Sequence, residues 1–366
     1  MMPLKPRPKH LDEMRPWNDK AQVLECVQVL TETRDVKTFS FLAADDSWFR
    51  YTPGQFVTFE LPMPGGAMLR TYTLSSSPSR PLSVSVTVKA QNASVASRWM
   101  LDNVTPGTRL KAYGPAGIFT FHNHPADKYL FVSAGSGITP MMSMTRYLFD
   151  VGQKTDVSFI HCARSPADII FRSELERMAA RVPDIDLAWI VEQPDALDGW
   201  TGYKGRINAL MLELIAPDYQ EREVFCCGPA IFMQTVRDIL NAAGFDMSRY
   251  HEESFSAPVD GEGALVESAG PLETLPQEGA AAKIVFKGSG VEADCLETDT
   301  ILKIAKEIGL NIPSACTFGV CGTCRVEKIS GEVHMAHNGG ISEDEIEEGF
   351  ILACCSRPIG RVEVDV

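Results

Sequence analysis

At 366 residues the chain is long for a single hydrophobic core and comfortable for two or three domains. Its 45% hydrophobic and 22% charged residues are ordinary for a globular protein, and no apolar run approaches the roughly 20 residues that span a bilayer. The net charge of −14 argues against a nucleic-acid partner, and it is unevenly spread: residues 283–366 carry 8 Lys/Arg against 14 Asp/Glu, and residues 256–282 carry 5 acidic residues and no basic one.

Residues 1–20, "MMPLKPRPKHLDEMRPWNDK", are basic and proline-rich and read as an N-terminal extension without the apolar stretch of a signal peptide, which points to the cytoplasm. Residues 21–125 hold short β-type runs, "AQVLECVQVL", "KTFSFLAA", "QFVTFEL", "RTYTLSSS", "LSVSVTVKA" and "TRLKAYGP", divided by turn signals such as Pro53-Gly54 and Pro106-Gly107. Such spacing predicts an antiparallel β-barrel, with one helical insert at "SVASRWMLDNV".

From 126 to 255 the rhythm becomes strand then helix: "YLFVSAG" and "TPMMSMTRYLFDVG", "VSFIHCAR" and "IFRSELERMAARV", "DLAWIVEQ" and "NALMLELIA", "EVFCCGP" and "AIFMQTVRDILNAAGF". Apolar strands alternating with helices predict a parallel α/β sheet covered on both faces. Residues 256–282, rich in Gly, Ala, Pro and Glu, have linker composition and lead to a third unit at 283–366. No internal repeat is present.

Half of the ten cysteines fall in the last 51 residues. The spacing Cys316-x4-Cys321-x2-Cys324, with Cys354 far downstream, is that of plant-type [2Fe–2S] ligands, whereas structural zinc usually takes two C-x2-C pairs and only one is present. The small Ser314, Ala315, Gly319, Gly322 and Thr323 leave room for a cluster and let backbone N–H groups reach its sulfurs. Cys354 fits the spacing better than the adjacent Cys355. "PSACTFGVCGTCRVEKISGEV" and "GFILACCSRP" resemble plant-type ferredoxins, which implies a β-grasp fold for 283–366.

Such a cluster takes one electron at a time while a nicotinamide gives two as hydride, so a flavin site is expected between them. The candidate is "LRTYTLSSSP": Arg70 as a bidentate phosphate donor, Tyr72 as a ring to pack on an isoalloxazine, and Thr73 as a hydroxyl for the flavin N5 region, reached where the strand ends and bends. Residues 21–255 resemble the ferredoxin–NADP reductase superfamily, whose R-x-Y-[ST] motif stands here as Arg70-Thr71-Tyr72-Thr73. The resemblance implies a second flavin segment, "SVTVKAQNASVAS", with Val86 and Val88 on its strand and Ala96 and Ser97 at the pyrophosphate turn, where Asn92-Ala93 replaces the usual glycine pair. It also implies that Phe255 of "HEESF" closes over the flavin, with FAD expected and FMN the alternative.

"FVSAGSGITPMMSM" carries G-x-G-x-x-P rather than G-x-G-x-x-G, as that superfamily does. Gly135 and Gly137 admit a pyrophosphate, Thr139 is expected to cap the helix, and Pro140 suits its first position. The resemblance places Cys227 of "CCGPAIFM" beside the nicotinamide C4, with Gly228 and Pro229 starting the next helix, while alternation turns Cys226 away. Arg164 could contact a 2′-phosphate or simply the adenosine. NADH is expected rather than NADPH, because the nearest further cation, Arg172, belongs to a predicted helix. His161, His251, His334 and His337 show no ligand spacing and read as structural or exposed.

The order flavin, nicotinamide, ferredoxin resembles the reductase components of two-component Rieske oxygenases and of the hybrid-cluster protein. Stretches such as "EREVFCCGP", "DMSRYHEESF" and "ADKYLFVSAGSGITPMMSM" are similar to reductases whose Rieske-type oxygenase demethylates glycine betaine, with carnitine and stachydrine systems close by. A ferredoxin-like carrier with a degenerate flavin fold is the non-enzyme alternative, disfavoured because all three redox sites keep their chemical groups. "SEDEIEE", residues 342–348, reads as a helix whose carboxylates are either a solvated face or a steering surface for a basic patch on the partner.

Overall fold

The computed structural model describes residues 11, 14–17, 22–45, 47–63, 66–90, 94–194, 199–255, 279–310, 312, 319, 322, 324–337, 341 and 343–366. Two compact units emerge, one containing the first two sheets and the other the C-terminal sheet.

The N-terminal part begins with β1 (Arg15–Trp17), β2 (Gln22–Thr33), β3 (Val36–Ala43), β4 (Ser47–Phe49), β5 (Phe56–Met63), β6 (Gly66–Thr73) and β7 (Val84–Lys89), followed by α1 (Val95–Asn103) and β8 (Arg109–Ala116). Six of these strands form a sheet in the order β6-β5-β8-β2-β3-β7, and an antiparallel bridge from Leu74 to Val86 joins its two edges, closing the expected barrel. Register shifts near Cys26 and Thr31 bend the long β2. Phe39, Phe41, Phe59 and Leu74 fill the interior. The N-terminal extension is not wholly detached: β1 pairs in parallel with β4, and buried Trp17 meets Phe49 edge-on at 5.3 Å. An isolated aromatic near the start gives no periodicity from which to read such a strand.

The parallel sheet takes β9 (Lys128–Ala134), α2 (Ile138–Val151), β10 (Asp156–Ala163), α3 (Arg172–Ala179), β11 (Ile185–Val191), β12 (Tyr203–Lys204), α4 (Ala209–Ile215), β13 (Glu223–Cys227), α5 (Ala230–Ala242) and β14 (Tyr250–Glu253). Its order is β12-β11-β10-β9-β13-β14. The chain winds outward from β9 through β10 and β11, then returns to the other side of β9, so a crevice opens beyond the carboxyl ends of β9 and β13. Phe131, Phe159 and Phe225, all fully buried, pack with α2 and α3 on one face, and burial of each is worth roughly 2–3 kcal/mol.

Barrel and parallel sheet are fastened by polar contacts from α2. Ser143 Oγ donates to the Ser76 carbonyl at 2.7 Å, and Arg80 pairs with Asp150. Arg146 forks onto both oxygens of Glu174, with 2.7 Å at the shorter arm, and also donates to the Ser75 carbonyl. Its side chain is only 11% exposed.

The C-terminal unit contains β15 (Ala281–Phe286), β16 (Val291–Leu296), α6 (Ile301–Glu307), β17 (Arg325–Met335), α7 (Glu343–Glu347), β18 (Phe350–Leu352) and β19 (Ser356–Val364), with strand order β16-β15-β19-β17-β18 around α6. β15 begins before residue 283 because Ala281 and Ala282 pair with Leu296 and Cys295. α7 carries the predicted acidic segment; Ser342 lies outside the described residues.

Arg146→Ala is expected to lower unfolding stability by about 2 kcal/mol, since charge-assisted bonds are lost and Glu174 is left half-buried without its partner. Urea denaturation of the two proteins checks this.

Candidate functional site

β6 ends at Thr73, as the bend required. Arg70 is exposed, Tyr72 is half-buried against Phe59 at 6.4 Å between centroids, and Thr73 is buried. Burial raises the Tyr72 phenol well above its ordinary pKa, keeping it neutral. Val86 and Val88, expected at the flavin, have side chains committed to the barrel core, because alternation on β7 turns them inward. Ala96 and Ser97 are buried in the first turn of α1, where Ser94 caps by accepting from Ser97 N at 3.3 Å. Asn92 and Ala93 lie outside the described residues. Phe255 is 38% exposed, just beyond β14.

At the crevice, Gly135 has φ +54°, and a Cβ there would meet no atom within 4 Å. Gly137 is different: a Cβ would lie 2.2 Å from the Cys227 carbonyl oxygen and 2.7 Å from Gly228 N, so only glycine lets the turn after β9 rest on the end of β13. A tight turn over 135–137 runs straight into α2, which corrects two expectations. The N-cap is Gly137 without a side-chain cap; Thr139 instead donates to the Ser136 carbonyl at 3.1 Å, and Pro140 is the third helical residue, not the first. No side chain caps the start of α2, which leaves room there for an anion such as a pyrophosphate. Gly228 precedes Pro229, the N-cap of α5, and packs against Ala134 and Phe232.

Cys227 is fully buried at the end of β13 and joins the α2-side core, while Cys226 joins the opposite one. Opposite Cys227 in register on β14 stands Glu253, two residues before Phe255 and marked by no sequence motif. Thr73 bonds the Glu253 carboxylate across from the barrel. The residue keeps some exposed surface, but its Oε2 is sealed from solvent and has no hydrogen-bond partner. Burial pushes this carboxyl up to about 8, outweighing the bond from Thr73, and burial with the Glu253 charge pushes the Cys227 thiol up. Glu253 and Cys227 thus stand side by side at the ends of β14 and β13, with the Thr73 hydroxyl of the barrel bonded to the carboxyl.

Arg164, at the end of the second strand of the sheet, is exposed. Beyond it a cavity of about 450 Å³ is lined by Pro166, Ala167, Arg172, Trp189 and Trp200. Arg172, the first residue of α3, is committed to Glu176 at 2.8 Å and to the Trp200 ring at 5.4 Å.

In the C-terminal unit Cys324 and Cys354 are buried side by side: Cys354 N donates to Cys324 Sγ at 3.4 Å and Gly319 N to Cys354 Sγ at 3.2 Å. Cys355 Sγ instead faces the Leu352 carbonyl at 3.6 Å. Gly319 has φ +73°, and a Cβ would lie 2.7 Å from Cys355 Sγ. Amide donors aimed at a cysteine sulfur, on a loop without bulk, suit an electron-rich cluster. Cys316 and Cys321 lie outside the described residues. No helix among the described residues is long and apolar enough to cross a membrane.

A flavin-type barrel, a parallel sheet with a glycine turn at its switch point, and a β-grasp unit with paired cysteines define a modular nicotinamide-dependent flavin and iron–sulfur oxidoreductase. Family models of the oxidoreductase FAD-binding domain, the oxidoreductase NAD-binding domain and the 2Fe-2S iron-sulfur cluster binding domain match residues 24–121, 131–238 and 284–358. The stachydrine N-demethylase reductase subunit of Rhizobium meliloti is 55% identical over 349 residues, covering 95% of this chain and 97% of that protein. The glycine betaine monooxygenase reductase subunit of Pseudomonas aeruginosa is 45% identical, covering 95% and 96%. The structure of phthalate dioxygenase reductase shares the fold, with a TM-score of 0.57 at 23% identity, covering 95% and 98%. The chain belongs to this family of monooxygenase reductase subunits with FAD-, NAD- and 2Fe-2S-binding domains.

Because Glu253 titrates near 4.5 when unfolded and near 8 when folded, the folded state binds the extra proton between those values, and stability falls as pH rises through that window. Glu253→Gln is expected to flatten this slope. Unfolding midpoints from pH 5 to 8 for both proteins check it.

Proposed function

We propose that the chain is the NADH-dependent reductase component of a Rieske-type oxygenase that demethylates a quaternary ammonium carboxylate such as glycine betaine or stachydrine. The observation that carries this reading is the agreement, over nearly the whole of both chains, with two reductase subunits of such systems. Both substrates set a quaternary nitrogen beside a carboxylate, which is why one class is named. An enzyme drawing on NADH works where that pool is, which supports a cytoplasmic location.

When bound, FAD converts a two-electron hydride into single electrons, and the [2Fe–2S] cluster takes them one at a time to the partner. The chain's residues do the holding. Arg70, Ala96 and Ser97 would hold the flavin phosphates, and Tyr72 and Phe255 would hold its ring. Gly135, Gly137, Thr139 and Pro140 receive the NADH pyrophosphate at α2, Arg164 meets its adenosine, and Gly228 and Pro229 shape the turn under the nicotinamide. Cys227 stays a neutral thiol beside the hydride position, too weak a donor to compete for it. Thr73 and Glu253 hold a proton at the flavin edge, Glu253 because burial keeps it near 8. Cys316, Cys321, Cys324 and Cys354 ligate the cluster.

The test combines this protein, NADH, and a Rieske-type oxygenase encoded beside it, with formaldehyde from each betaine as the readout. Formaldehyde is expected only with all components present. Cys354→Ser should abolish it while keeping ferricyanide reduction, and Cys355→Ser should keep both. Turnover by Cys354→Ser, or none with either betaine, would overturn the ligand or the substrate class respectively.

A further inference from the structure

At the opposite end of the parallel sheet from Cys227, three side chains from three separate elements meet. Glu223 opens β13, His251 lies on the adjacent β14, and His124 follows the tight turn that joins barrel and sheet. The register pairs His251 with Phe225, so Glu223, two residues before Phe225, shares its face. His251 Nε2 lies 2.7 Å from Glu223 Oε2, and the His124 and His251 rings stack at 3.5 Å with 24° between planes. One ligand atom from each residue falls within 4.8 Å of the others.

We propose that His124, Glu223 and His251 form a divalent transition-metal site, with zinc as its ion. Two imidazoles and one carboxylate, with an open side for water, make up a three-ligand zinc set, and the imidazoles disfavour calcium and magnesium. All three residues are only partly exposed, so an ion reaches them from solvent while the groups remain shielded. Donors around one tetrahedral zinc, at bonds of about 2.0–2.2 Å, stand roughly 3.3–3.6 Å from one another, so ligand atoms already within 4.8 Å of each other have on the order of 1 Å to close.

The backbone at His124 is already braced. Its carbonyl accepts from Tyr129 Oη at 3.1 Å, its N–H reaches the Phe121 carbonyl at 3.0 Å, and Ala126 N donates to Tyr129 Oη at 2.7 Å. Phe225 supports both rings from below, at 4.9 Å to His251 and 6.0 Å to His124. The ion would clip the barrel–sheet connection to β13 and β14. It stands roughly 13 Å along β13 from Cys227, at about 3.3 Å per residue, away from the hydride site.

The holoprotein, dialysed against a chelator until zinc-free with its visible cluster bands intact, is titrated with zinc chloride by calorimetry, alongside His124→Ala. Wild type is expected to bind one more zinc than the variant, or to bind it at least tenfold tighter, and zinc should raise the melting temperature of wild type alone. His124→Ala should keep its flavin content and NADH–ferricyanide activity, so loss of binding reports the site. Glu223→Gln, which keeps the packing, should weaken the same site. Equal zinc titrations for wild type and His124→Ala would overturn the proposal, as would an unchanged titration for Glu223→Gln.

Discussion

Everything at the centre of this molecule depends on how closely the turn after β9 approaches the end of β13. A single Cβ at Gly137 would lie 2.2 Å from the Cys227 carbonyl oxygen, well inside contact distance. That approach brings the start of α2, with its N–H groups free of any side-chain cap, to the thiol at the switch point. In the proposed reading, one backbone contact thereby sets both the phosphate end and the reacting end of the nicotinamide site.

A second junction brings in the barrel. Thr73 comes from the last residue of an antiparallel strand and Glu253 from the edge of a parallel sheet, yet they share a hydrogen bond, and Glu253 pairs in register with Cys227. This meeting holds only if the two sheets keep their relation, which is the task of Ser143, Arg146 and Asp150 on α2. Burial then keeps both Glu253 and Cys227 in their uncharged forms where β14 and β13 end.

Much of this was legible in the sequence, because it rests on local pattern. Strand and helix periods give both N-terminal sheets, R-x-Y-T marks the end of β6, and cysteine spacing separates Cys354 from Cys355, whose thiol faces a carbonyl. What escaped reading depends on contacts between distant elements. β1 is only three residues long and exists through its pairing with β4. Glu253 has no motif of its own, since its role comes from Thr73 and from register with Cys227. His124, Glu223 and His251 are too far apart in the chain for ligand spacing to show. Thr139 reads as a cap until the turn before α2 proves to be helical itself.

The most direct measurement is the rate at which NADH reduces the bound flavin in Gly137→Ala, followed by stopped-flow absorbance. Flavin and cluster contents should match wild type, because neither site contains that turn, while flavin reduction should slow at least tenfold as the turn is pushed off Cys227. A variant that binds both groups and is reduced at the wild-type rate would contradict the account.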